Sequence, residues 1–167
     1  MPSPPADGFV TGLVLGAGGS RRLGRPKQLL AYGETTLLGR VLNTARGCGF
    51  QRLIVALGGA ADGVREQVDL GGAEVVINES FGSGCSSSIA AALGGVDERS
   101  ESLVLMLGDQ PGVTPATVEA LLAGRGKAPI AVCGYENGRG HPIVFARRIF
   151  GELAVLSTFV ISRCGER

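Results

Sequence analysis

The chain has 167 residues and a formal net charge of +1; 44% of the residues are hydrophobic, 19% charged and 5% aromatic, with no tryptophan. A chain of this length and balance builds one domain with a sizeable core and is not disordered. The near-zero charge excludes a general pull toward nucleic acid or an anionic membrane, and the shortage of aromatics removes the stacking platforms that single-stranded nucleic acid requires.

Met1 to Gly8 is proline-rich and polar, lacks a signal-peptide pattern and is expected to fray, leaving a single domain over 9–167. Phe9–Leu15 is an apolar run that predicts a first strand. It leads into Leu15-Gly16-Ala17-Gly18-Gly19-Ser20-Arg21-Arg22-Leu23-Gly24-Arg25-Pro26-Lys27, which joins glycines to three arginines and a lysine. Without a Cβ, glycine lets backbone N–H groups approach an anion closely. The loop therefore suits a polyphosphate; the alternative is a turn that is merely basic. Two familiar glycine patterns do not fit. Gly16 and Gly18 have the spacing of G-x-G-x-x-G, but Arg21 takes the third glycine position. Gly19 and Gly24 have the spacing of G-x-x-x-x-G-K-[ST], but Arg25 and Pro26 follow. Lys27 either reaches phosphate oxygens as a point charge or is an ordinary exposed lysine. Ser20 either donates to a phosphate or caps the turn.

Leu37, Leu38, Val41, Leu42 and Ala45 then recur at helical spacing. Arg52–Leu57 predicts a second strand that ends on Gly58-Gly59, followed by a helical stretch over Ala60–Val68 and a third strand over Ala73–Ile77. Gly82-Ser83-Gly84-Cys85-Ser86-Ser87-Ser88 opens a helix over Ser86–Leu93. Its serines either contact a base, ribose or phosphate or cap the helix, and Cys85 reads as an inert thiol in preference to a nucleophile. Leu103–Leu107, the fourth strand, runs into Gly108-Asp109-Gln110-Pro111. A carboxylate at such a strand end is placed to hold Mg²⁺ against a phosphate; the alternative is a turn residue. Thr114-Pro115 starts a helix over Thr114–Leu122, with an N-cap followed by proline at the first helical position. Pro129–Val132 predicts a fifth strand. In Gly138-Arg139-Gly140-His141-Pro142, ahead of Ile143-Val144-Phe145, the single histidine is expected in a tight turn. There it either positions an acceptor phosphate or moves a proton, or is bound to backbone, and Arg139 beside it suits anion contact.

No apolar run reaches the length of a membrane span. Cys48, Cys85, Cys133 and Cys164 are far apart and form no C-x-x-C. With one histidine there is no zinc pattern, and reduced thiols in a cytoplasmic protein are expected. The alternation of apolar runs and helical stretches predicts a three-layer α/β domain around a mostly parallel sheet, with strands covered on both faces. Ligands of such sheets bind at the carboxyl ends of the strands. The glycine loop, Gly58-Gly59 and Gly108-Asp109 all follow strands and are expected to converge on one crevice.

Taken together, these segments resemble the MobA-like nucleotidyltransferases, and most of all the molybdenum cofactor cytidylyltransferases. That family opens with a pattern like L-A-A-G-x-S-x-R-M-G-x-x-K, which Leu15, Ala17, Gly18, Ser20, Arg22, Gly24 and Lys27 match, with Gly16 for an alanine and Leu23 for methionine. Its G-M-S-S-S is similar to Gly84 and Ser86 to Ser88, with Cys85 for methionine; its D-Q-P is Asp109-Gln110-Pro111; its G-H-P-V-x-F is similar to Gly140 to Phe145. Four motifs in order cover most of residues 9 to 150. The resemblance implies a Rossmann-like α/β fold and a Mg²⁺-dependent transfer of CMP from CTP to the terminal phosphate of molybdopterin, with pyrophosphate leaving. Arg22, Lys27 and Asp109 would be catalytic, Asp109 holding the metal. Leu15, Gly16, Ala17, Gly18, Gly19, Ser20, Lys27, Gly58, Ser86 and Ser87 would bind the nucleotide, and Arg139 and His141 the acceptor. A molybdoenzyme client would be a further partner, with no role for nucleic acid or membrane.

The family continues after its G-H-P segment with G-D-x-G-A-R. Here the chain reads Ser157-Thr158-Phe159-Val160-Ile161-Ser162-Arg163-Cys164-Gly165-Glu166-Arg167, without the aspartate. An atypical or truncated C-terminus keeps two alternatives open: a nucleotide- or molybdopterin-binding maturation protein without turnover, and a guanylyltransferase acting on another phosphorylated acceptor.

Overall fold

A computed structural model describes residues 8–18, 24–80 and 85–155. In chain order the elements are β1 (Val10–Gly16), β2 (Ala31–Tyr32), β3 (Thr35–Thr36), α1 (Leu37–Gly47), β4 (Arg52–Leu57), α2 (Ala61–Gln67), β5 (Glu74–Ile77), α3 (Cys85–Leu93), β6 (Ser102–Leu107), α4 (Pro115–Arg125), β7 (Ile130–Tyr135), β8 (Gly138–Ala146) and α5 (Phe150–Val155), with short 3-10 turns at Lys27–Leu29 and Arg147–Ile149. Six strands form one sheet in the order β5-β4-β1-β6-β8-β7, and β2 and β3 make a separate small hairpin. β5, β4, β1 and β6 are parallel, while β8 runs antiparallel to both β6 and β7.

The three layers follow from side-chain alternation along the strands. Val10 and Val14 of β1 join Val55, Val104 and Met106 on one face, under Leu38, Val41 and Leu42 of α1, Val64 of α2 and Val118 and Leu122 of α4. Leu13 and Leu15 join Ile54, Leu105 and Leu107 on the other, under Ile89 and Ala92 of α3 and Leu153 of α5. Each such side chain contributes about 1.5–3 kcal/mol on burial, so the central strands read as continuous apolar runs. The edges depart from that expectation: Ile130 and Val132 of β7 are 46% and 38% exposed, because no strand lies beyond them and only part of the strand is covered. Two of the helix starts are fixed by hydroxyl caps. Thr36 Oγ1 accepts from Gly39 N at 3.0 Å, and Thr114 Oγ1 accepts from Thr117 N at 3.2 Å ahead of Pro115.

The predicted strands and helices are present within one to three residues at most ends. β8 is a correction. Gly138, Gly140 and Pro142 read as turn signals, yet they lie in a nine-residue strand. Val132 pairs with Ile143 and Cys133 with Gly140, which leaves His141 and Pro142 as two extra residues bulged out of the ladder. His141 is therefore in a bulge within a strand and not in a tight turn; Pro142 has no N–H to give to a ladder and is tolerated where the pairing breaks. β2 and β3, two residues each, and the extension of β7 to Tyr135 were also outside the prediction. Cys48 and Cys133 are free thiols among the described residues, and Cys164 lies outside them. Burial pushes the Cys48 thiol up to about 11, which keeps it protonated and unreactive.

Candidate functional site at the carboxyl edge of the parallel strands

In the strand order β5-β4-β1-β6, the connections leave β1 in one direction and return on its other side at β6. The reversal makes the carboxyl end of β1 a crevice. Register places its walls: Gly16 lies beside Leu57 and Leu15 beside Leu107, so Ala17, Gly58 and Asp109 stand at one level. Gly108 N donates to Leu15 O at 2.8 Å, carrying the β1–β6 ladder one step beyond the strand. A Cβ on Gly108 would sit 2.7 Å from Leu15 O and 3.0 Å from a Leu38 methyl, so only glycine allows this approach. Asp109 is thereby held at the rim. Gly18 is exposed, and among the described residues no heavy atom lies within 4 Å of a Cβ placed on it.

Lys27 Nζ lies 2.9 Å from Asp109 Oδ2, with the two side chains 39% and 28% exposed. The first and third motifs, 82 residues apart, thus meet in one ion pair. Next to Lys27, Gln28 turns inward and is 5% exposed. Its Nε2 donates to Gly16 O at 2.5 Å and Gly18 O at 3.1 Å. One amide ties back two loop carbonyls, whose negative ends would otherwise compete with an anion for the crevice. Among the described residues its Oε1 is buried without a hydrogen-bond partner, which is costly for a polar atom.

The far wall is β8. Its pairing with β6 ends at Leu105–Ile143, whereas its pairing with β7 continues to Tyr135–Gly138, so the hairpin extends beyond the carboxyl end of β6. The bulge at His141 brings the imidazole within electrostatic reach of Asp109. Burial lowers the imidazole pKa from its ordinary 6.5, and the Asp109 carboxylate opposes that shift more weakly, so the ring is neutral at pH 7. Tyr135 Oη donates to His141 O at 2.6 Å and its ring packs against Gly140, bracing the bulge. Arg139 is exposed on the outer arm, opposite Gly134. The depressed imidazole gives a pH test. The unfolded chain takes the proton near 6.5 and the folded chain only below it, so stability present above that pH is lost as pH falls. Urea unfolding between about pH 5 and 8 is expected to give a shallower slope for His141→Asn than for the parent chain; equal slopes would remove His141 as the cause.

At the fourth side, Asn78 is buried immediately after β5. Its Nδ2 donates to Ser87 Oγ at 2.8 Å and Ser88 Oγ at 2.9 Å, while its Oδ1 accepts from Ser80 N at 3.0 Å. Ser87 Oγ in turn donates to Ser80 O at 3.1 Å. Both serines are engaged in fixing the start of α3, with Ser86 half-buried in the same first turn. Of the sequence-predicted residues, Leu15, Gly16, Ala17, Gly18, Lys27, Gly58, Asp109 and His141 gather at this edge, with Ser86 and Ser87 on the helix that follows β5. Gly19, Ser20 and Arg22 lie outside the described residues. Gln28, Asn78 and Tyr135 were missed. Asn78 carried a usable signal, a polar residue directly after the apolar run Val75-Val76-Ile77, as Asp109 follows Leu107-Gly108. Gln28, beside Leu29 and Leu30, carried almost none.

The donor set also bears on a metal. No group of three or more His, Cys, Asp or Glu capable of holding an ion occurs among the described residues. The Asp109 carboxylate already faces a cation, the Lys27 ammonium. A single hard oxygen ligand fits an ion that draws its remaining ligands from water and substrate phosphates, as Mg²⁺ does. No helix among the described residues is long and apolar enough to cross a membrane.

Known proteins share this organisation. The model of the MobA-like NTP transferase domain matches residues 12–160. Nicotine blue oxidoreductase of Paenarthrobacter nicotinovorans is 34% identical over 143 residues, 81% of this chain and 70% of that protein. The crystal structure of an rv0371c homolog from Mycobacterium sp. strain JC1 superposes with a TM-score of 0.85 at 53% identity, covering 95% of this chain and 82% of that one. The Mycobacterium tuberculosis Rv0371c complex with manganese superposes with a TM-score of 0.80 at 47% identity, over 89% of this chain and 77% of its own.

Proposed function

Because the chain belongs to the MobA-like NTP transferase family, and is a nucleotidyltransferase of that family, we propose that it moves CMP from CTP to the terminal phosphate of a molybdopterin-type cofactor and releases pyrophosphate. The observation that carries the reading is the Lys27–Asp109 pair at the glycine end of β1, which joins a cation for phosphates to a carboxylate for a divalent ion. The motifs shared with the molybdenum cofactor cytidylyltransferases favour CTP and this acceptor.

Joining two phosphates requires charge neutralisation and alignment more than covalent chemistry. A terminal phosphate oxygen of the acceptor attacks the α-phosphorus of CTP; a P–O bond forms, the bond to the β-phosphate bridge breaks, and the electron pair leaves with pyrophosphate. The attacking oxygen is already ionised, so no base is needed to take a proton. In this reading Ala17, Gly18 and Gly19 offer backbone N–H groups, with Leu15, Gly16 and Gly58 shaping the nucleotide end. Ser20, Arg22 and Lys27 meet the phosphates. Ser86 lines the ribose side; Ser87, engaged with Asn78, acts there by shaping the wall. Arg139 and neutral His141 face the acceptor. Asp109 would hold a divalent ion, which would supply Lewis-acid neutralisation of the phosphates; manganese in the 47%-identical Rv0371c supports a divalent ion here, and Mg²⁺ is its proposed physiological form. Gln28 keeps the loop carbonyls turned away from the anion, so Gln28→Met is expected to weaken CTP binding about tenfold, the order of one charge-assisted hydrogen-bond rearrangement. Calorimetric titration checks this, and unchanged affinity would dismiss the clamp.

The deciding assay is pyrophosphate release from CTP, Mg²⁺ and molybdopterin, with GTP and ATP as competitors. Release with GTP in preference would move the reading to a guanylyltransferase, and tight CTP binding without release to a maturation protein. The likeness to nicotine blue oxidoreductase adds one further arm: an oxidoreductase activity without pyrophosphate release would overturn the transferase assignment.

A further inference from the structure

We infer that Lys27 is an exchangeable counter-ion: it occupies Asp109 in place of the divalent ion and leaves when nucleotide phosphates offer it another anion, so that metal and nucleotide enter as linked events. The inference rests on the proposed site. Nζ lies 2.9 Å from Asp109 Oδ2, at hydrogen-bond distance from the carboxylate that would take the ion. A divalent ion on that carboxylate would stand within a few ångströms of the ammonium, and at such separations two cations repel strongly even at the effective dielectric of a protein surface. The ammonium and the ion therefore compete.

Exchange is inexpensive for three reasons. The pair is partly exposed, 39% and 28%, and ion pairs so placed are weak. Lysine carries its charge on a flexible four-carbon stem, so Nζ can swing without moving backbone. Gln28, immediately after it, is anchored to Gly16 O and Gly18 O, so the turn that carries Lys27 stays fixed to the loop while the stem moves. The loop end at Gly18, with open space around it among the described residues, is where an incoming anion would draw the ammonium. By linkage, whatever removes Lys27 from Asp109 tightens the metal, and the metal in turn frees Lys27 for phosphate. The device prevents firm retention of a metal without nucleotide.

The test is Mn²⁺ binding to nucleotide-free protein, followed by electron paramagnetic resonance. Lys27→Met is expected to bind Mn²⁺ about tenfold more tightly than the parent chain, the order set by removing one cation beside the carboxylate. Lys27→Arg, which keeps the charge, should stay within about twofold of the parent by the same argument, and Asp109→Asn should not bind in either background. Labelling of Lys27 by an amine-acylating reagent, read by mass spectrometry, should rise when Mn²⁺ is added to the parent chain. Equal Mn²⁺ affinity in the parent and Lys27→Met overturns the exchange while leaving the metal site intact. Absence of Mn²⁺ binding by every variant, with CTP present as well, overturns the metal site and the exchange together.

Discussion

Replacing Asp109 by asparagine is expected to lower nucleotidyl transfer by about two to three orders of magnitude, the scale on which single charge-stabilising groups act, while leaving the fold nearly as stable as before. The two halves of this expectation have different sources. Asparagine keeps the volume and one oxygen of the carboxylate but removes the charge that would hold a divalent ion between two phosphates. Stability is spared because the ion pair with Lys27 is partly exposed, and such pairs contribute about 0–1 kcal/mol; the orphaned ammonium stays hydrated. Steady-state pyrophosphate release across a Mg²⁺ titration, together with the melting temperature, separates the effects. The proposed role requires that turnover fall and the metal dependence weaken while the melting temperature holds. An unchanged metal titration removes Asp109 from the chemistry. A collapse in melting temperature would instead make it a structural residue.

What the sequence made legible here was local. An apolar run that ends on Gly108-Asp109 announces a buried strand and a carboxylate at its tip, and Thr114-Pro115 announces a helix start, because each depends on neighbours within a few residues. The glycine loop suggested a polyphosphate from its residue types alone, and that reading stands within the proposed function. Gln28 was illegible because its burial comes from the turn that folds Lys27–Leu29 back onto the end of β1, a tertiary event with no mark in a K-Q-L-L run. His141 was misplaced for the opposite reason: two glycines and a proline gave a strong local turn signal, and pairing with β7 before and after the bulge, continuous with the β6–β8 ladder, overrode it. That same pairing is what brings His141 near Asp109, so the proposed acceptor side of the site depends on strand order, which no short stretch of sequence carries.

The glycines around the crevice should answer to a Cβ in a definite order, and Gly108 should respond most. An alanine there would set its methyl 2.7 Å from Leu15 O and 3.0 Å from a Leu38 methyl. The first contact is with backbone, and that backbone has nowhere to go. Leu15 lies in the central strand, between β4 and β6, and its carbonyl is the acceptor for Gly108 N at 2.8 Å. Relief requires breaking the last rung of the β1–β6 ladder, which both strains the core and moves Asp109. Gly108→Ala is therefore expected to cost roughly 2–3 kcal/mol, the range for overpacking a well-filled core together with a lost buried hydrogen bond, and to lower turnover beyond what lost folded protein accounts for. Gly16→Ala meets a milder environment, Leu57 and Leu38 methyls at 3.2 and 3.3 Å and Ala56 O at 3.4 Å, which side chains can accommodate by small shifts. Its cost should stay under about 1 kcal/mol, in keeping with the alanine that the resembling family carries there. Gly18→Ala has open space among the described residues, so its effect should fall on nucleotide affinity and spare stability. Denaturant midpoints for the three variants, set beside CTP affinity, test the ranking. A Gly108→Ala protein as stable as Gly16→Ala would mean that the β1–β6 approach at Leu15 is not the constraint that places Asp109.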